Sequence, residues 1–145
     1  NDNFNINANA GWLDAEFDEF INEFGEDLSG RDQAHAPSYT FSLNFNYQQG
    51  PWFASVSADG KDNFFFSDRH SIKSKRYTLY NASLGFESGQ WKVTLWGRNL
   101  ADKDYYVRGF GSFGNDPRNF YVTEPYFQYG EPRVTGVTLQ LTMGG

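Results

Sequence analysis

The sequence contains no cysteine and no long hydrophobic run, and basic residues are scarce in it. Without cysteine there can be neither a disulfide framework nor a thiolate metal site. Because no stretch approaches about 18 consecutive apolar residues, a membrane-spanning helix is excluded. The 12 basic residues are outnumbered by 18 acidic ones, which gives a formal net charge of −6. A nucleic-acid partner would require a basic surface, so this balance argues against one.

Aromatic residues and glycine are abundant instead. The 145 residues include 15 Phe, 9 Tyr, 4 Trp and 15 Gly, while the mean hydropathy is only −0.67. Aromatic residues favour strands, so this mixture predicts an all-β fold. The length suits one domain or a piece of one. Residues 1–10 have neither a basic start nor an apolar core, and we therefore expect no signal peptide within this chain.

Strict alternation of apolar and polar residues recurs along the chain. In NFNINANAGW, residues 3–12, every second residue from Phe4 to Trp12 is apolar, and the residues between are Asn or Gly. A period of two predicts a strand with two unlike faces. The same pattern occurs in five further segments, namely 38–47, 51–59, 79–87, 90–98 and 136–142. None of the six carries a charge on its apolar face, whereas Phe53 and Trp96 interrupt the polar face.

The connections between these strands alternate between short and long. Residues 48–51 and 87–90 each contain a glycine suited to a tight turn. The other connections, about 14–37, 61–76 and 99–129, are long. Short turns at one end and long loops at the other are typical of outer-membrane β-barrels, in which the turns face the periplasm and the loops face the exterior.

Aromatic residues flank the apolar band at both ends of the predicted strands. Rings in such positions are what a bilayer interface selects, although a soluble β-sandwich could also cap its core with them. The predicted membrane-interface residues are Trp12, Tyr39, Tyr47, Trp52, Tyr80, Phe86 and Trp91. Together with the uncharged polar face and the loop asymmetry, they favour an antiparallel transmembrane β-barrel. Six strands cannot close such a barrel, so we expect the remaining strands upstream or in another chain.

Two motifs carry a family resemblance. Residues 99–106 read NLADKDYY and residues 130–139 read GEPRVTGVTL. In this order they resemble the C-terminal end of TonB-dependent outer-membrane receptors, in which N-L-x-D-K-x-Y follows the penultimate strand and G-x-P-R-x-x-G-V-x-L forms the last one. Residues 36–40 (APSYT) and 11–17 (GWLDAEF) also resemble family segments, so the similarity spans nearly the whole chain.

The resemblance implies a plugged barrel of about 22 strands, of which residues 1–145 would form the C-terminal segment. The plug domain and the segment that contacts the TonB complex would lie upstream. Such a receptor resides in the bacterial outer membrane, among lipid and lipopolysaccharide. It captures a scarce nutrient, such as a ferric siderophore, cobalamin, haem or an oligosaccharide, and imports it with energy from TonB.

Two long loops combine aromatic and cationic residues suited to ligand capture. Within 60–76 and 105–129, cations could bind an anionic ligand and rings could stack on it. An equally plain interpretation is that the rings of 60–76 pack against neighbouring loops, and that the rings of 105–129 form cross-strand pairs in strand extensions beyond the membrane. The candidate contacts are Phe64, Phe65, Arg69, His70, Tyr105, Tyr106, Arg108, Phe110, Phe113, Arg118 and Tyr121.

No pattern in the sequence indicates catalysis, a metal site or a cofactor. The two histidines, His35 and His70, lie in different loops without metal-binding spacing. The acidic segment 14–32 lacks the spacing of a calcium loop. We therefore expect no enzyme activity. Two other functions remain open: a passive porin or barrel-type adhesin, and a soluble β-domain that binds carbohydrate.

Overall fold

The computed structural model describes residues 3–111, 117–122 and 124–143 and contains eight strands. Apart from the single 3₁₀ turn Pro117–Asn119, no helix occurs in these residues, and none in this part is long and apolar enough to span a membrane. The strands are β1 (Phe4–Trp12), β2 (Tyr39–Gln49), β3 (Trp52–Lys61), β4 (Tyr77–Ser88), β5 (Trp91–Arg98), β6 (Tyr106–Phe110), β7 (Tyr126–Tyr129) and β8 (Val134–Leu141).

Six of these strands form one antiparallel sheet in the order β1-β2-β3-β4-β5-β8. These are the six strands that the alternation predicts. Their register places the apolar face of each strand beside that of its neighbours, so that Leu84 pairs with Ala54 on one side and with Leu95 on the other. Strands of 8 to 12 residues have the length needed to cross a bilayer at a tilt.

The apolar face of the sheet is its more exposed face. In β5, Trp91, Val93 and Leu95 are exposed, whereas Lys92 and Thr94 between them are half-buried. Leu84 is 49% exposed and Leu139 is 62% exposed. A soluble sheet would show the opposite arrangement, because burial of apolar area is what drives its folding. We therefore call the apolar face the outward face and the polar face the inward face.

The sheet has no hydrophobic core of its own. Among the described residues, the apolar side chains that are fully buried are Leu28, Phe64 and Phe66, and all three lie in the long connections. The core of a soluble sandwich would instead draw on the strands. Among the residues that the structure describes, no other segment buries the alternating apolar side chains of the sheet.

Glycines explain the two aromatic residues on the inward face. Phe53 pairs with Gly85, and a Cβ atom on that glycine would lie only 1.9 Å from the Phe53 ring. Trp96 pairs with Gly136 in the same manner, at 2.4 Å. Each ring therefore lies flat across a neighbouring strand where a glycine leaves space for it. Because the two rings cover backbone on the inward face, they are consistent with the alternation of an apolar outward face and a polar inward face.

Small polar side chains on the inward face form a hydrogen-bonded network around Asp59. Its carboxylate accepts hydrogen bonds from Ser42 Oγ (2.7 Å), Ser57 Oγ (3.2 Å) and Asn81 Nδ2 (3.3 Å). Two further inward cations pair with carboxylates: Lys92 with Glu87 at 3.0 Å and Arg98 with Glu131 at 2.7 Å. A wetted lumen tolerates such groups, whereas hydrocarbon would not.

The two family-like motifs meet at the end of β5, where the last long connection leaves the sheet and returns to it. Asn99, which is 2% exposed, donates through Nδ2 to the carbonyl oxygens of Lys103 and Glu131, both at 3.0 Å. Its Oδ1 accepts from the Lys103 amide at 2.9 Å. Asp102 Oδ1 accepts from the Arg133 amide at 3.0 Å. We call this arrangement the signature junction, since it joins both ends of the 99–133 connection.

Replacing Asn99 with alanine should open the signature junction. Asn99 has a φ of 46°, which asparagine tolerates better than alanine, and the change also removes three partly buried hydrogen bonds. We expect local stability to fall by about 1–3 kcal/mol. Hydrogen exchange in the intact receptor would measure this as faster exchange at residues 99–105 and 130–134.

Asn9→Ala provides the control for this experiment. Asn9 lies exposed on β1, and its side chain makes no hydrogen bond to any residue that the structure describes. Its replacement should leave exchange unchanged. Equal exchange in the Asn99 and Asn9 variants would show that the motif has no structural role.

The structure also contains a hairpin that the sequence pattern does not predict. β6 and β7 form a separate two-stranded sheet within the connection expected to be a loop, with Tyr106 opposite Tyr129 and Phe110 opposite Tyr126. Both strands are short, and the pairing shifts register between Tyr106 and Arg108. The bulge interrupts the strict alternation that would mark a strand in the sequence.

Candidate functional site

Two long connections and the β6–β7 hairpin pack together beyond one end of the sheet. We call segments 13–38 and 62–76 together with this hairpin the loop cluster. At its centre Phe66, 2% exposed, makes edge contacts with the rings of Phe64 and Tyr106 and lies 4.9 Å from the Phe127 ring. Gly109 permits this packing, because a Cβ atom there would meet the Phe66 ring at 2.6 Å. The loops therefore have a hydrophobic core, which the sheet lacks.

The three consecutive phenylalanines 64–66 point alternately to two sides. Phe64 and Phe66 are buried, whereas Phe65 lies between two cations: the Arg31 guanidinium carbon and Lys73 Nζ are each 4.0 Å from its ring centroid. Backbone pairing of Phe65 with both Ala34 and Lys73 makes this short segment extended, which produces the alternation. Phe64, a predicted ligand contact, is therefore an interior residue of the loop cluster.

Arg31 links the acidic segment 14–32 to segment 62–76 by hydrogen bonds. Its Nη2 atom donates to the carbonyl oxygens of Ser67 and, at 3.4 Å, of His70. Its Nε and Nη1 atoms are buried and have no hydrogen-bond partner within the part of the chain that the structure describes. Cation–π attraction to Phe65 offsets part of their lost hydration. Sequence reasoning missed Arg31, because nothing local marks an arginine that contacts a ring 34 positions away.

Asn22 provides a second tie between the same two connections. The side chain is buried, and its Nδ2 atom donates to Glu26 Oε2 at 2.8 Å and to the Asp68 carbonyl oxygen at 3.1 Å. Its Oδ1 atom accepts from the amides of Phe24 and Glu26. Acidic segment 14–32 is thus a folded loop and not only a solvated charge run. Within the described residues, no three His, Asp or Glu side chains are grouped to hold a metal ion.

Four predicted contact residues come together where segment 62–76 meets the end of β6. His70 Nε2 lies 3.4 Å from the Phe110 carbonyl oxygen, and the Arg108 guanidinium lies 4.8 Å from the Phe110 ring centroid. Arg69 packs against Gly111, where a Cβ atom would lie 2.7 Å from Arg69 Cδ. We call Arg69, His70, Arg108 and Phe110 the capture patch. It unites two cations, an imidazole and a ring from two separate connections.

Arg69 in the capture patch already has a carboxylate partner. Its Nε and Nη2 atoms lie 2.9 Å and 3.3 Å from the two carboxylate oxygens of Glu23. Both side chains are about half exposed, so solvent screens the pair. Such a pair can exchange its carboxylate for another oxygen anion at modest cost. The bidentate geometry shows that the guanidinium is oriented for that class of group.

Two tyrosines predicted as contacts have structural neighbours. The ring of Tyr105 lies 4.6 Å from that of Tyr77 and covers Gly130. Tyr106 Oη lies 3.2 Å from Tyr129 Oη. The hydrogen bond that Tyr106 donates to Tyr129 raises the pKa of Tyr106, because it favours the protonated phenol. Tyr106 therefore remains a neutral hydrogen-bonding group beside the hairpin.

In the acidic segment, local hydrogen bonds likewise shift the pKa of one carboxyl group, that of Asp27. Ser29 donates to Asp27 Oδ1 from its hydroxyl at 2.6 Å and from its amide at 3.0 Å. These two bonds lower the pKa of Asp27, because they favour the carboxylate. The hydrogen bonds thus stabilise the charged form of Asp27 within the acidic segment.

The remaining predicted contacts lie on the segment between β6 and β7. Arg118 and Tyr121 are exposed there, next to Phe120, which is 89% exposed and has a φ of 60°. Exposed rings at a loop tip are available to a ligand or a partner. Phe113 lies outside the described residues.

The seven predicted interface aromatics all lie on the outward face, in two rows. The row beside the loop cluster contains Trp12 paired with Tyr39, and Tyr80. The row beside the tight turns contains Trp52 in edge contact with Phe86 at 4.9 Å, Tyr47 and Trp91. The apolar residues between the two rows are uninterrupted by charge. The two rows arise because the strand register places the outward-facing rings of neighbouring strands side by side.

The geometry matches a known family of proteins. The model of the family described as TonB dependent receptor-like, beta-barrel, matches residues 1–100. The chain belongs to the TonB-dependent receptor family. Proteins of this family reside in the bacterial outer membrane, and they are receptors and transporters, not enzymes.

Two individual proteins show how the chain relates to other TonB-dependent receptors. The ferric-pyoverdine M114 receptor PbuA of Pseudomonas sp. (strain M114) is 40% identical over 89 residues, which are 58% of this chain and 10% of that protein. The crystal structure of the siderophore receptor PiuA from Acinetobacter baumannii superposes with a TM-score of 0.74 over 96% of this chain and 19% of that chain, at 19% identity. The chain therefore spans only a small part of the receptors that it resembles.

Proposed function

We propose that this chain forms the C-terminal six wall strands of a plugged barrel of about 22 strands that imports a ferric siderophore. The names of the two similar receptors, one for ferric pyoverdine and one for a siderophore, support this ligand class over cobalamin, haem or an oligosaccharide. β1 and β8 are the edges of the six-stranded sheet. Since lipid cannot satisfy an open edge, further strands must pair with both.

The asymmetry of the connections supports one orientation in the membrane. The tight turns at Gly50 and Gly89 would face the periplasm, and the loop cluster would face the exterior, where ligand arrives. In this orientation the inward face lines the lumen. The plug domain upstream would meet the Asp59 network and Arg98, and the segment upstream of the plug would contact the TonB complex. Outer-membrane lipid and lipopolysaccharide would cover the outward face.

The observation that carries the ligand proposal is the convergence of the capture patch. Segment 62–76 and strand β6 are separated in the sequence, yet the packing of Phe66 and the contact of His70 with Phe110 bring their cations and rings to one surface. Ferric chelates present oxygen donors and, in many cases, aromatic groups. Guanidinium groups and rings complement both. Tyr121 and Arg118 would extend this surface at the loop tip.

No comparable structural observation supports the competing functions. A passive porin or an adhesin would also need a wall and external loops, but neither needs two loops joined around a cation and aromatic patch. A soluble carbohydrate-binding domain would need its apolar face buried, and that face is exposed.

Replacing Arg108 and Arg118 with alanine in the intact receptor should weaken siderophore binding. Loss of charge-assisted contacts should raise the Kd for the ferric siderophore about tenfold or more. Titration of the purified receptor with a panel of ferric siderophores, followed by radioactive iron uptake in cells, would measure the change. Neither side chain is buried, so the amount of receptor inserted in the membrane should stay the same.

Lys92→Ala is the matched control, because it removes one cation at the opposite end of the sheet. Lys92 pairs with Glu87 beside a tight turn. Its replacement should leave the Kd unchanged. If the arginine variants bind every ferric siderophore as tightly as the unaltered receptor does, the capture patch is not the binding surface.

A further inference from the structure

Most cationic side chains in the chain already have a partner. They pair with a carboxylate, as Arg133 does with Asp102 and Lys73 does with Asp32, or they lie over an aromatic ring. Within the described ranges, the exceptions are Lys75, Arg76 and Lys103, whose side chains have no such contact. These three side chains are exposed, so in a chain of net charge −6 they are the cations that an external anion can reach without displacing a carboxylate of this chain.

Two of these cations line one depression on the outward side of the sheet. Arg76 and Lys103 lie at a depression of about 480 Å³, together with Thr78 and the interface residues Tyr39 and Tyr80. The turn that carries Lys103 is held beside β4 by the hydrogen bond from the Leu100 amide to the Tyr80 carbonyl oxygen at 2.8 Å. The depression therefore lies where the apolar band ends and the loop cluster begins.

The region below the depression is apolar. Gly60 stands between Phe41 and Thr78 in the strand register, and the Phe41 ring covers it, 2.1 Å from where a Cβ atom would be. Phe41 and Leu43 continue down the same face towards the tight turn. A ligand in this position would meet cations and hydroxyl groups above and an uninterrupted apolar surface below.

We propose that this depression binds a phosphate group of lipid A, the phosphorylated glycolipid of the outer leaflet. Arg76 and Lys103 would hold the phosphate, the tyrosine hydroxyls and Thr78 would bond to the sugar, and the acyl chains would lie over Phe41 and Leu43. The proposal rests on the orientation proposed above, in which the loop cluster faces the exterior. A soluble anion fits less well, because the depression opens on the lipid-facing side of the wall.

Lys75 provides a control for the proposed lipid site. It is also unpaired, but it lines a second depression, of about 300 Å³, with Tyr105 and with Tyr106 and Tyr129 of the loop cluster. Arg76 borders both depressions, whereas Lys75 borders only the second. It precedes β4 by two residues and has the same charge as Arg76. Lys75→Gln therefore removes a nearby cation without touching the proposed lipid site.

The test compares Arg76→Gln/Lys103→Gln with Lys75→Gln in the intact receptor, placed in nanodiscs of defined lipid. Native mass spectrometry would count the lipid A molecules that each receptor retains. The double variant should retain lipid A about tenfold less strongly, since two charge-assisted contacts are lost, and Lys75→Gln should retain it normally. Equal retention in the double variant and the unaltered receptor would overturn the proposal.

Two measurements on the unaltered receptor need no substitution. Dephosphorylated lipid A should bind about tenfold more weakly than lipid A, and inorganic phosphate at millimolar concentration should not displace the lipid. Equal binding of both lipids, or displacement by inorganic phosphate, would also overturn the proposal. The Kd for ferric siderophore, measured on the same samples, separates failure of the lipid site from failure of the proposed transport function.

Discussion

Replacing Phe66 with alanine should unfold the loop cluster and leave the barrel wall intact. The ring is 2% exposed and contacts Phe64, Tyr106 and Phe127, so its loss leaves a cavity where two connections and a hairpin meet. Truncating a buried phenylalanine costs about 3–5 kcal/mol. The local free energy of unfolding of a loop cluster of this size is rarely larger than this cost.

Hydrogen exchange in the intact receptor would measure this effect. Amides that bond across the cluster, such as Ser74 to the Phe64 carbonyl oxygen and His35 to the Phe65 carbonyl oxygen, should lose their protection. Amides of the six-stranded sheet should keep theirs. Ferric siderophore binding should weaken together with the loss of loop protection, because the capture patch depends on the same packing.

Phe120→Ala is the control for this prediction. It truncates the same kind of ring in the segment between β6 and β7, but Phe120 is 89% exposed, so it should change local stability by less than about 0.5 kcal/mol. If Phe66→Ala left the exchange of segments 13–38 and 62–76 as slow as Phe120→Ala does, the loops would not share a core.

Replacing Leu84 with arginine should strongly destabilise the wall in a membrane. Leu84 lies in the middle of the apolar band on the outward face, beside Ala54 and Leu95. An arginine facing lipid at the bilayer midplane costs about 2–4 kcal/mol. Denaturant unfolding of the intact receptor in lipid vesicles would measure the loss, and folding into vesicles should also become less efficient.

Ser83→Arg supplies an adjacent comparison. Ser83 points to the inward face, where it lines a depression of about 270 Å³ with Ser57, Asn81 and Arg98. A charge there meets water and polar groups, so the cost should remain below about 1 kcal/mol. If the two costs were equal, or if Ser83→Arg cost more, the assignment of the two faces would be reversed.

Much of the fold could be predicted because strand patterns are local. Alternation with a period of two marks each strand and assigns each residue to a face, and glycines at tight turns set the register of neighbouring strands. The six strands, their antiparallel order and the long connections therefore agree with expectation. The pattern failed at β6 and β7, where a bulge and short length hide the periodicity.

The candidate site could be predicted from the sequence less completely than the strands. Side-chain chemistry predicts Arg69, His70, Arg108 and Phe110 as ligand contacts, and the structure brings them together. The same chemistry predicts Phe64, yet Phe64 is buried, because a run of three rings does not reveal which of them faces inward. Their use in ligand binding stays a prediction.

The sequence by itself determined the six strands of the sheet, their two faces and the positions of the long connections, since each depends on neighbours within a few positions. Only the tertiary structure decided which side chains are available to a ligand. Arg31 meets Phe65, and Asn99 meets Glu131, across more than 30 residues of chain. Contacts at such separation depend on the closure of long loops, and no local periodicity records them.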